Sequence, residues 1–225
     1  KALVMCARYT QTKLQHELET HFDAEVQEVF PRFNIAPTQE CLVIQTESPR
    51  TITGMRWGIT RDWAPRSVGQ PQLLINARGE SIVEKKTFVN TFQSNRCLVV
   101  ADSFYEWRAD GKTRQPIRFL LKSEEPFAFA GVWNASASGK AFAIITTEAN
   151  DLIRPVHNRM PVIVERDRYS EWLSPDTPFE RLAGLLKPLP PQLMKSYEVN
   201  PAVSSAREDS PECIEPFQPK QGSLF

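Results

Sequence analysis

The stretch CLVVADSFYEW, residues 97–107, decides the fold, because it joins an apolar run to an aromatic one. Valine, phenylalanine, tyrosine and tryptophan are enriched in β-strands, so we predict a strand from Cys97 to Trp107. The turn pair Asp110-Gly111 follows, and another apolar run begins at Ile117. A turn signal between two such runs is typical of a β-hairpin, so neighbouring strands should be antiparallel.

Similar runs on both sides of this hairpin extend the β-structure over the middle of the chain. Ser138-Gly139 indicates a second hairpin. Further strands are predicted near the N-terminus and at Cys41–Gln45, Ile52–Ile59, Leu73–Ala77, Ile117–Leu121, Phe127–Trp133, Phe142–Thr147 and Ser196–Asn200.

Helical periodicity brackets this β-rich middle. Leu14, Leu18 and Phe22 recur every four residues with charged residues between them, which predicts an amphipathic helix over Thr12–Phe22. His16 and His21 lie on that helix and are interpreted as ordinary helix residues. Further helices are predicted at Glu80–Phe92, Arg166–Leu173 and Pro178–Leu186. The fold class is therefore α+β, dominated by antiparallel sheet.

No internal repeat and no Gly/Ser-rich linker divides the chain, so we expect a single domain over residues 5–205. Residues 1–4 would be an upstream extension. Residues 206–225 are rich in Pro, Glu, Ser and Gln, a composition that buries too little apolar area to order itself, which predicts a flexible C-terminal tail.

Composition excludes several functions. The 225 residues carry 27 Lys+Arg and 27 Asp+Glu, so no global charge attracts nucleic acid as in a histone-like protein. Any contact with DNA must come from a local patch. The longest uncharged apolar-rich stretch, Pro126–Trp133, is far shorter than the roughly 20 residues of a membrane-spanning helix. Lys1–Tyr9 lacks the features of a secretory signal, so we expect a cytoplasmic protein.

The four cysteines, at positions 6, 41, 97 and 213, have no CxxC spacing, and the chain has three histidines. These are too few clustered ligands for a structural zinc site, and we expect neither a metal nor another cofactor. Cys41 and Cys97 lie in apolar runs and should be buried strand residues. Cys6 differs from these two.

Five short segments place reactive or hydrogen-bonding side chains at strand ends or in loops. They are Met5–Tyr9 (MCARY), Asn34–Pro37 (NIAP), Ile75–Glu80 (INARGE), Phe104–Trp107 (FYEW) and His157–Pro161 (HNRMP). In this order they resemble the SRAP family, the SOS-response-associated peptidase proteins that shield abasic sites in single-stranded DNA. The resemblance covers about residues 5–205 and implies a barrel-like core of antiparallel sheets with flanking helices.

The family pattern begins Met-Cys-Gly-Arg, with the methionine removed so that cysteine becomes the first residue. Here Ala7 replaces the glycine, and residues 1–4 precede Met5, through either an added segment or an upstream start codon. An N-terminal Cys6 would offer an α-amine with a pKa near 8 to the aldehyde of an opened abasic sugar. The amine forms a Schiff base and the thiol closes it to a thiazolidine.

The resemblance implies three further catalytic residues. Glu106, in an aromatic setting, would shuttle protons during ring opening and imine formation. His157, in a segment flanked by prolines, would act as an acid or base, including in β-elimination of the DNA strand. Asn76 would hold the sugar hydroxyls or the Cys6 end. Without the resemblance, a solvated strand glutamate, a packed histidine and a turn asparagine would be the ordinary interpretations.

A single-stranded DNA surface is expected around these residues. Arginine forks fit phosphate oxygens, and aromatic or proline rings stack on or wedge against unpaired bases. Solvated arginines and a core tryptophan at position 57 would look the same in sequence. The expected DNA-binding residues are Arg8, Asn34, Pro37, Trp57, Trp63, Arg78, Trp107, Thr146 and Arg159.

The last five residues, QGSLF, resemble the Gln-x-Ser-Leu-Phe peptide by which bacterial replication and repair proteins dock on the β sliding clamp. Gln221, Leu224 and Phe225 would make the contacts, the last two in an apolar pocket. The clamp and abasic single-stranded DNA are thus the expected partners of a monomer.

Two other functions stay open from the residues. One is a cysteine peptidase, with Cys6 as nucleophile, His157 as base and Asn76 or Glu106 as the orienting partner, whose minimal activity removes the residues before Cys6. The other is a noncatalytic module that binds single-stranded DNA through the arginines and tryptophans and never forms an adduct.

Overall fold

The computed structural model describes residues 7–60, 73–84, 91–111, 113–137 and 139–217. Helices span Gln15–Phe22, Gly79–Glu84, Tyr169–Leu173 and Phe179–Gly184, and residues 91–94 are also helical. Short 3-10 helices include Arg166–Arg168, Pro191–Leu193, Pro201–Ser204 and Pro211–Ile214. The strands are β1 (Tyr9–Gln11), β2 (Arg32–Ile35), β3 (Glu40–Gln45), β4 (Ser48–Trp57), β5 (Ile59–Thr60), β6 (Leu73–Leu74), β7 (Asn76–Arg78), β8 (Arg96–Ala101), β9 (Ser103–Asp110), β10 (Thr113–Leu121), β11 (Phe127–Ser136), β12 (Gly139–Glu148), β13 (Arg159–Pro161), β14 (Ile163–Val164) and β15 (Met194–Glu198).

Five strands close into a ring. β3 pairs with β4 and β8, β8 pairs with β11, and β11 pairs with β12, all antiparallel. A parallel pairing of β12 with β4 completes the circle. Closure satisfies the backbone groups that an open sheet would leave at its edges. The expected barrel-like core is confirmed, although its closing pair is parallel.

A second sheet has the strand order β15-β10-β9-β1-β2 and is antiparallel throughout. The strand predicted over residues 97–107 is two strands, because the chain bends at Asp102. β8 belongs to the ring and β9 to the second sheet. This one segment therefore joins the two sheets of the protein.

Both predicted hairpins are confirmed. Asp110 pairs with Thr113 between β9 and β10, and Gly111 has a φ of 57°, which glycine adopts without the steric cost of a Cβ. Ser136 pairs with Gly139 between β11 and β12, and the φ of Gly139 is 101°.

In the described part of the chain, the hydrophobic core has two large clusters, because alternate side chains of a strand point to opposite faces. On β8, Cys97 and Val99 face a cluster that contains Tyr9, Phe104 and Phe129. Successive strand residues point to opposite faces. The intervening residues Leu98 and Val100 accordingly join a second cluster, with helical residues such as Leu18, Trp172 and Leu182. The ring thus packs on the second sheet through one face and on the helices through the other. Cys41 and Cys97 are buried as expected.

The bounds of two helices differ from the prediction. The first helix begins at Gln15, because Leu14 has an extended backbone and its N–H donates to the Glu17 carboxylate at 2.8 Å. The helix expected over residues 80–92 is described at residues 79–84 and 91–94. Among the described residues, no helix has the length and apolar character needed to span a membrane.

The segment expected to be a flexible tail packs on the domain as far as residue 217. Residues 201–217, here called the C-terminal strap, pack on the domain, with Val203 and Cys213 buried. The Phe217 N–H donates to Glu198 O at 2.8 Å, and the carboxylate of Asp209 accepts the N–H groups of Phe33 and Asn34 at 2.6 and 3.0 Å. These bonds hold the strap on the domain.

Candidate functional site

The N-terminal end of β1 runs beside β9. Tyr9 pairs with Phe104, and the Tyr105 N–H donates to Arg8 O at 3.1 Å. Glu106, the next residue of β9, is 2% exposed and pairs across the sheet with Ile117. The chain that follows Cys6 is therefore held against the strand that carries Glu106. Cys6, Trp63, Gln221, Leu224 and Phe225 themselves lie outside the described residues.

Asn76 begins β7, which pairs in parallel with β12. The preceding carbonyl, Ile75 O, accepts the indole N–H of Trp57 at 2.9 Å and the Ile144 N–H at 3.0 Å. The Trp57 ring also packs edge-on against Tyr9, with the ring centroids 5.3 Å apart. Trp57 thus links the start of β1 to the start of β7.

His157 follows a turn and precedes β13. Its backbone N–H donates to Ile153 O at 2.9 Å, and its Nδ1 accepts the Arg159 N–H at 3.0 Å. Burial lowers the pKa of His157 below its usual value. The ring is therefore neutral at cell pH, with its proton on Nε2, which leaves that N–H as the group able to act on a substrate.

One core cluster connects the segments that carry these residues. Tyr9, Ile117, Ile75 and Val156 all pack in it. Tyr9 follows Arg8, and Ile117 pairs across the sheet with Glu106. Ile75 precedes Asn76, and Val156 precedes His157. The fold therefore packs four segments that are far apart in sequence on one core cluster.

Arg159 is the first residue of β13, which pairs with β12, and β12 pairs in turn with β7. Its guanidinium makes a two-pronged bond with the Glu80 carboxylate, at 2.6 and 2.9 Å, and donates to Thr146 O at 2.7 Å. These hydrogen bonds lower the pKa of Glu80. Arg78, which pairs with Thr146 in β7, is exposed. Both arginines thus lie beside β12, but only Arg78 has an exposed side chain.

The guanidinium of Arg8 is bound within the protein. It donates to Asn34 Oδ1 at 2.9 Å and to two strap carbonyls, Val203 O at 2.9 Å and Ser204 O at 3.1 Å. Burial lowers the pKa of Arg8 from its ordinary value. The indole N–H of Trp107 also reaches the strap, at Ser204 Oγ, 2.9 Å away. Arg8 and Trp107 therefore border the site together with the strap.

Three residues expected at the DNA surface are buried, which corrects their assignment. Asn34 is fully buried, and its amide donates to Val203 O, Ser205 O and Glu208 O at 2.7–3.0 Å, so it anchors the strap. The Trp57 ring is fully buried between Tyr9 and Phe142 and offers no face to a base. Thr146 is fully buried in β12. Pro37, in contrast, is partly exposed.

The sequence interpretation missed the strap and the acidic partner of Arg159. Glu80 is visible in the sequence only as the end of the INARGE segment, and its ion pair joins the helix Gly79–Glu84 to β13, which lies far away in sequence. The strap had a weak signal, the apolar residues Val203, Cys213 and Ile214 among polar ones. The polar pair Asp102-Ser103 inside the apolar run was also a signal, because it marks the bend between the sheets.

The chain is similar to several known proteins. The chain is 38% identical over 224 residues to the abasic site processing protein YoqW of Bacillus subtilis, covering 94% of this chain and 99% of that protein. It is 37% identical to the abasic site processing protein YoaM of the same organism, with 94% and 98% covered. A crystal structure of a Bacteroides thetaiotaomicron protein shares the fold, with a TM-score of 0.80, 22% identity, and coverage of 95% of this chain and 100% of that one. The sequence profile described as SOS response associated peptidase (SRAP) matches residues 5–206, and the chain therefore belongs to the SRAP family.

Proposed function

We propose that this protein processes abasic sites in single-stranded DNA, and that it does so by a covalent thiazolidine link from Cys6 once Cys6 is the first residue. Membership of the SRAP family supports this, as do relatives named abasic site processing proteins that align over nearly their whole length. The observation that carries the proposal is the hydrogen bond from Tyr105 N–H to Arg8 O, which holds the N-terminal segment beside Glu106.

The proposed reaction conserves atoms with the loss of one water. The α-amine of Cys6 adds to the aldehyde carbon of the opened sugar, and the carbinolamine expels water to give an imine. The thiol then adds to the imine carbon and its proton passes to the nitrogen. The resulting five-membered ring contains the nitrogen, two carbons of Cys6, the sulfur and the former aldehyde carbon.

Glu106 is proposed to move the protons of these steps. Glu106 as a residue is 2% exposed, so it would act away from bulk water, where a proton is delivered to a defined atom. The Nε2–H of His157 would donate to a sugar oxygen while the ring opens. Asn76, at the start of β7, would hold the sugar hydroxyls. A lyase step, β-elimination from the imine, would use the same groups.

The DNA backbone is proposed to lie along the border formed by the exposed Arg78, the Trp107 ring and the Arg8 side of the strap. Arginine forks bind phosphates without reading sequence, and an aromatic ring stacks on any base. Arg159 would add positive potential from its position under Glu80. Trp63 and Pro37 are proposed to complete the surface.

The last residues are proposed to bind the β sliding clamp through Gln221, Leu224 and Phe225. The test compares the full chain with a chain ending at Gln218 for binding to immobilised clamp. Leu224→Ala combined with Phe225→Ala should abolish binding as the truncation does. Equal binding by the full and shortened chains would remove this part of the proposal.

Intact mass spectrometry tests the covalent reaction. Protein produced with Met5 as the start, so that Cys6 becomes terminal, is mixed with an oligonucleotide carrying one abasic site. The expected new mass is protein plus DNA minus one water. After a quench that hydrolyses imines, the adduct should be absent for the chain beginning at Lys1 and for Cys6→Ala and Cys6→Ser. The terminal amines of these two variants can form only an imine of the same mass, which borohydride reduction would trap.

Two other results would favour the competing functions. No adduct from a protein with a terminal Cys6 would overturn the cross-link, and unchanged DNA affinity of Cys6→Ala would then indicate a noncatalytic binding module. Hydrolysis of a peptide by the chain beginning at Lys1, lost in Cys6→Ala, would indicate a peptidase.

A further inference from the structure

Asp102 lies at the bend between β8 and β9 and is a buried carboxylate, 4% exposed. Its oxygens accept hydrogen bonds from the Thr10 hydroxyl, the Thr12 N–H and the Thr12 hydroxyl, the last at 2.8 Å. Its own N–H donates to Thr10 O at 3.0 Å. The backbone and side chain of Asp102 thus hold residues 10–12 from two sides.

Arg118 supplies the counter-charge for this carboxylate. Its Nη2 lies 3.8 Å from Asp102 Oδ1, and both side chains are almost fully buried, at 9% and 3% exposure. Its Nε donates to Ser103 Oγ at 2.7 Å and its Nη1 donates to the Tyr197 hydroxyl. The network therefore joins β1 to β9, β10 and β15. A buried charge pair of this kind is costly to break on one side only.

β1 needs this support because it is short. It has three residues, and two of them pair with β9, Tyr9 with Phe104 and Thr10 with Ser103. A slip of one residue would turn every side chain of a strand to its other face. The hydrogen bonds of Asp102 distinguish one register from its neighbours, because a slipped strand would move the hydroxyl of Thr10 away from the carboxylate.

We propose that Asp102 is a positioning residue for the Cys6 reaction: it sets the register of β1 so that the chain before Arg8 meets β9 at Glu106. This inference rests on the proposed function. Asp102 does not contact the substrate, and it acts through Thr10 and Thr12. Its loss should slow bond formation more than it weakens DNA binding.

The test uses Asp102→Asn, which keeps the shape but not the charge, and Thr10→Val, which removes one donor and leaves the Asp102–Arg118 pair intact. The rate of adduct formation is measured in a single turnover with saturating abasic oligonucleotide. Affinity is measured separately with an oligonucleotide carrying a tetrahydrofuran analogue, which has no aldehyde. We expect the rate to fall at least about tenfold, since small misplacements of reacting groups have such effects, while the Kd changes less than about twofold.

Leu182→Ala is the matched control for lost stability. Leu182 is fully buried in the helix-facing cluster, away from β1. At temperatures well below each Tm, this variant should lose stability and keep the wild-type rate. Equal losses of rate in Leu182→Ala and Asp102→Asn would show a general effect of instability and overturn the positioning role.

Hydrogen exchange separates this inference from the proposed function. In Thr10→Val and Asp102→Asn, the amide of Tyr105, which donates to Arg8 O, should exchange faster, while the amide of Val99 in the ring stays protected. If the wild-type protein formed no adduct, the proposed function would fail, and the exchange result would still decide the register. Unchanged protection at Tyr105, or a wild-type adduct rate in both variants, would overturn the inference.

Discussion

The imidazole Nδ1 of His157 accepts the backbone N–H of Arg159 at 3.0 Å. This bond assigns the proton of the neutral ring to Nε2. Burial lowers the pKa of His157, so the neutral form is the one present at cell pH. The chemical role of this histidine is therefore set by a backbone group two residues away.

We predict that nitrogen-detected NMR finds His157 neutral at pH 7.5 with its proton on Nε2. Its pKa in the folded state should lie below the reference of about 6.5. A lowered pKa in the folded state means that the contribution of His157 to stability is fully present above the pKa of the unfolded chain. That contribution decreases as the pH falls toward the pKa of the folded state. A protonated ring at pH 7.5, or a proton on Nδ1, would contradict the assignment.

His21 should produce a larger effect of the same sign. Burial first, and then the charge of Arg166, lowers its pKa to about 4. We predict that the wild-type protein loses stability as the pH falls from about 6.5 to about 4. His21→Gln should flatten this part of the curve in urea titrations at several pH values, whereas His16→Gln, on the same helix, should leave it unchanged.

The Arg159–Glu80 ion pair leads to a prediction about affinity for single-stranded DNA. Glu80→Gln removes a half-exposed carboxylate beside Arg78 and Arg159, so it should tighten single-stranded DNA binding and steepen the salt dependence by roughly one phosphate contact. Arg159→Gln should do the opposite. Glu47→Gln, which removes another surface ion pair, is the control and should change neither quantity. Weaker binding by Glu80→Gln would show that the pair is needed to shape the surface.

The hydrogen bonds of Asn34 to the strap lead to a prediction about the stability of the fold. Its fully buried amide serves three strap carbonyls and accepts a bond from Arg8. Asn34→Ala should cost about 2–3 kcal/mol, the scale of a buried polar network left unsatisfied. Limited proteolysis should then cut within residues 201–217 before the ring. A strap that stays protected in Asn34→Ala would show that its apolar contacts suffice.

Trp57 and Trp107 should respond differently to substitution. Trp57→Phe loses the bond to Ile75 O, so it should lower stability by about 1 kcal/mol and leave affinity for intact single-stranded DNA within about twofold. Trp107→Ala should weaken that affinity by the 1–3 kcal/mol typical of a stacked base. Fluorescence anisotropy with one labelled oligonucleotide measures both variants. A large loss of affinity for Trp57→Phe would contradict its assignment to the core.

Local sequence patterns predicted most of the helices and strands. The hairpin at Asp110-Gly111 and the buried Cys97 follow from turn chemistry and alternation, which operate over a few residues. The short strand β2 and the C-terminal strap have no such pattern. They are ordered by bonds across the chain, such as those of Asp209 to Phe33 and Asn34.

The sequence by itself determined the β-rich α+β fold and the family, because both depend on residue types in a fixed order along the chain. Only the tertiary structure decided which candidate side chains are accessible. Trp57 and Asn34 were expected at the DNA, and closure of the ring and docking of the strap bury them. It also decided that Asp102 and Arg118 form a pair. The physical reason is that burial and partnership depend on contacts between residues distant in sequence, which a local pattern does not contain.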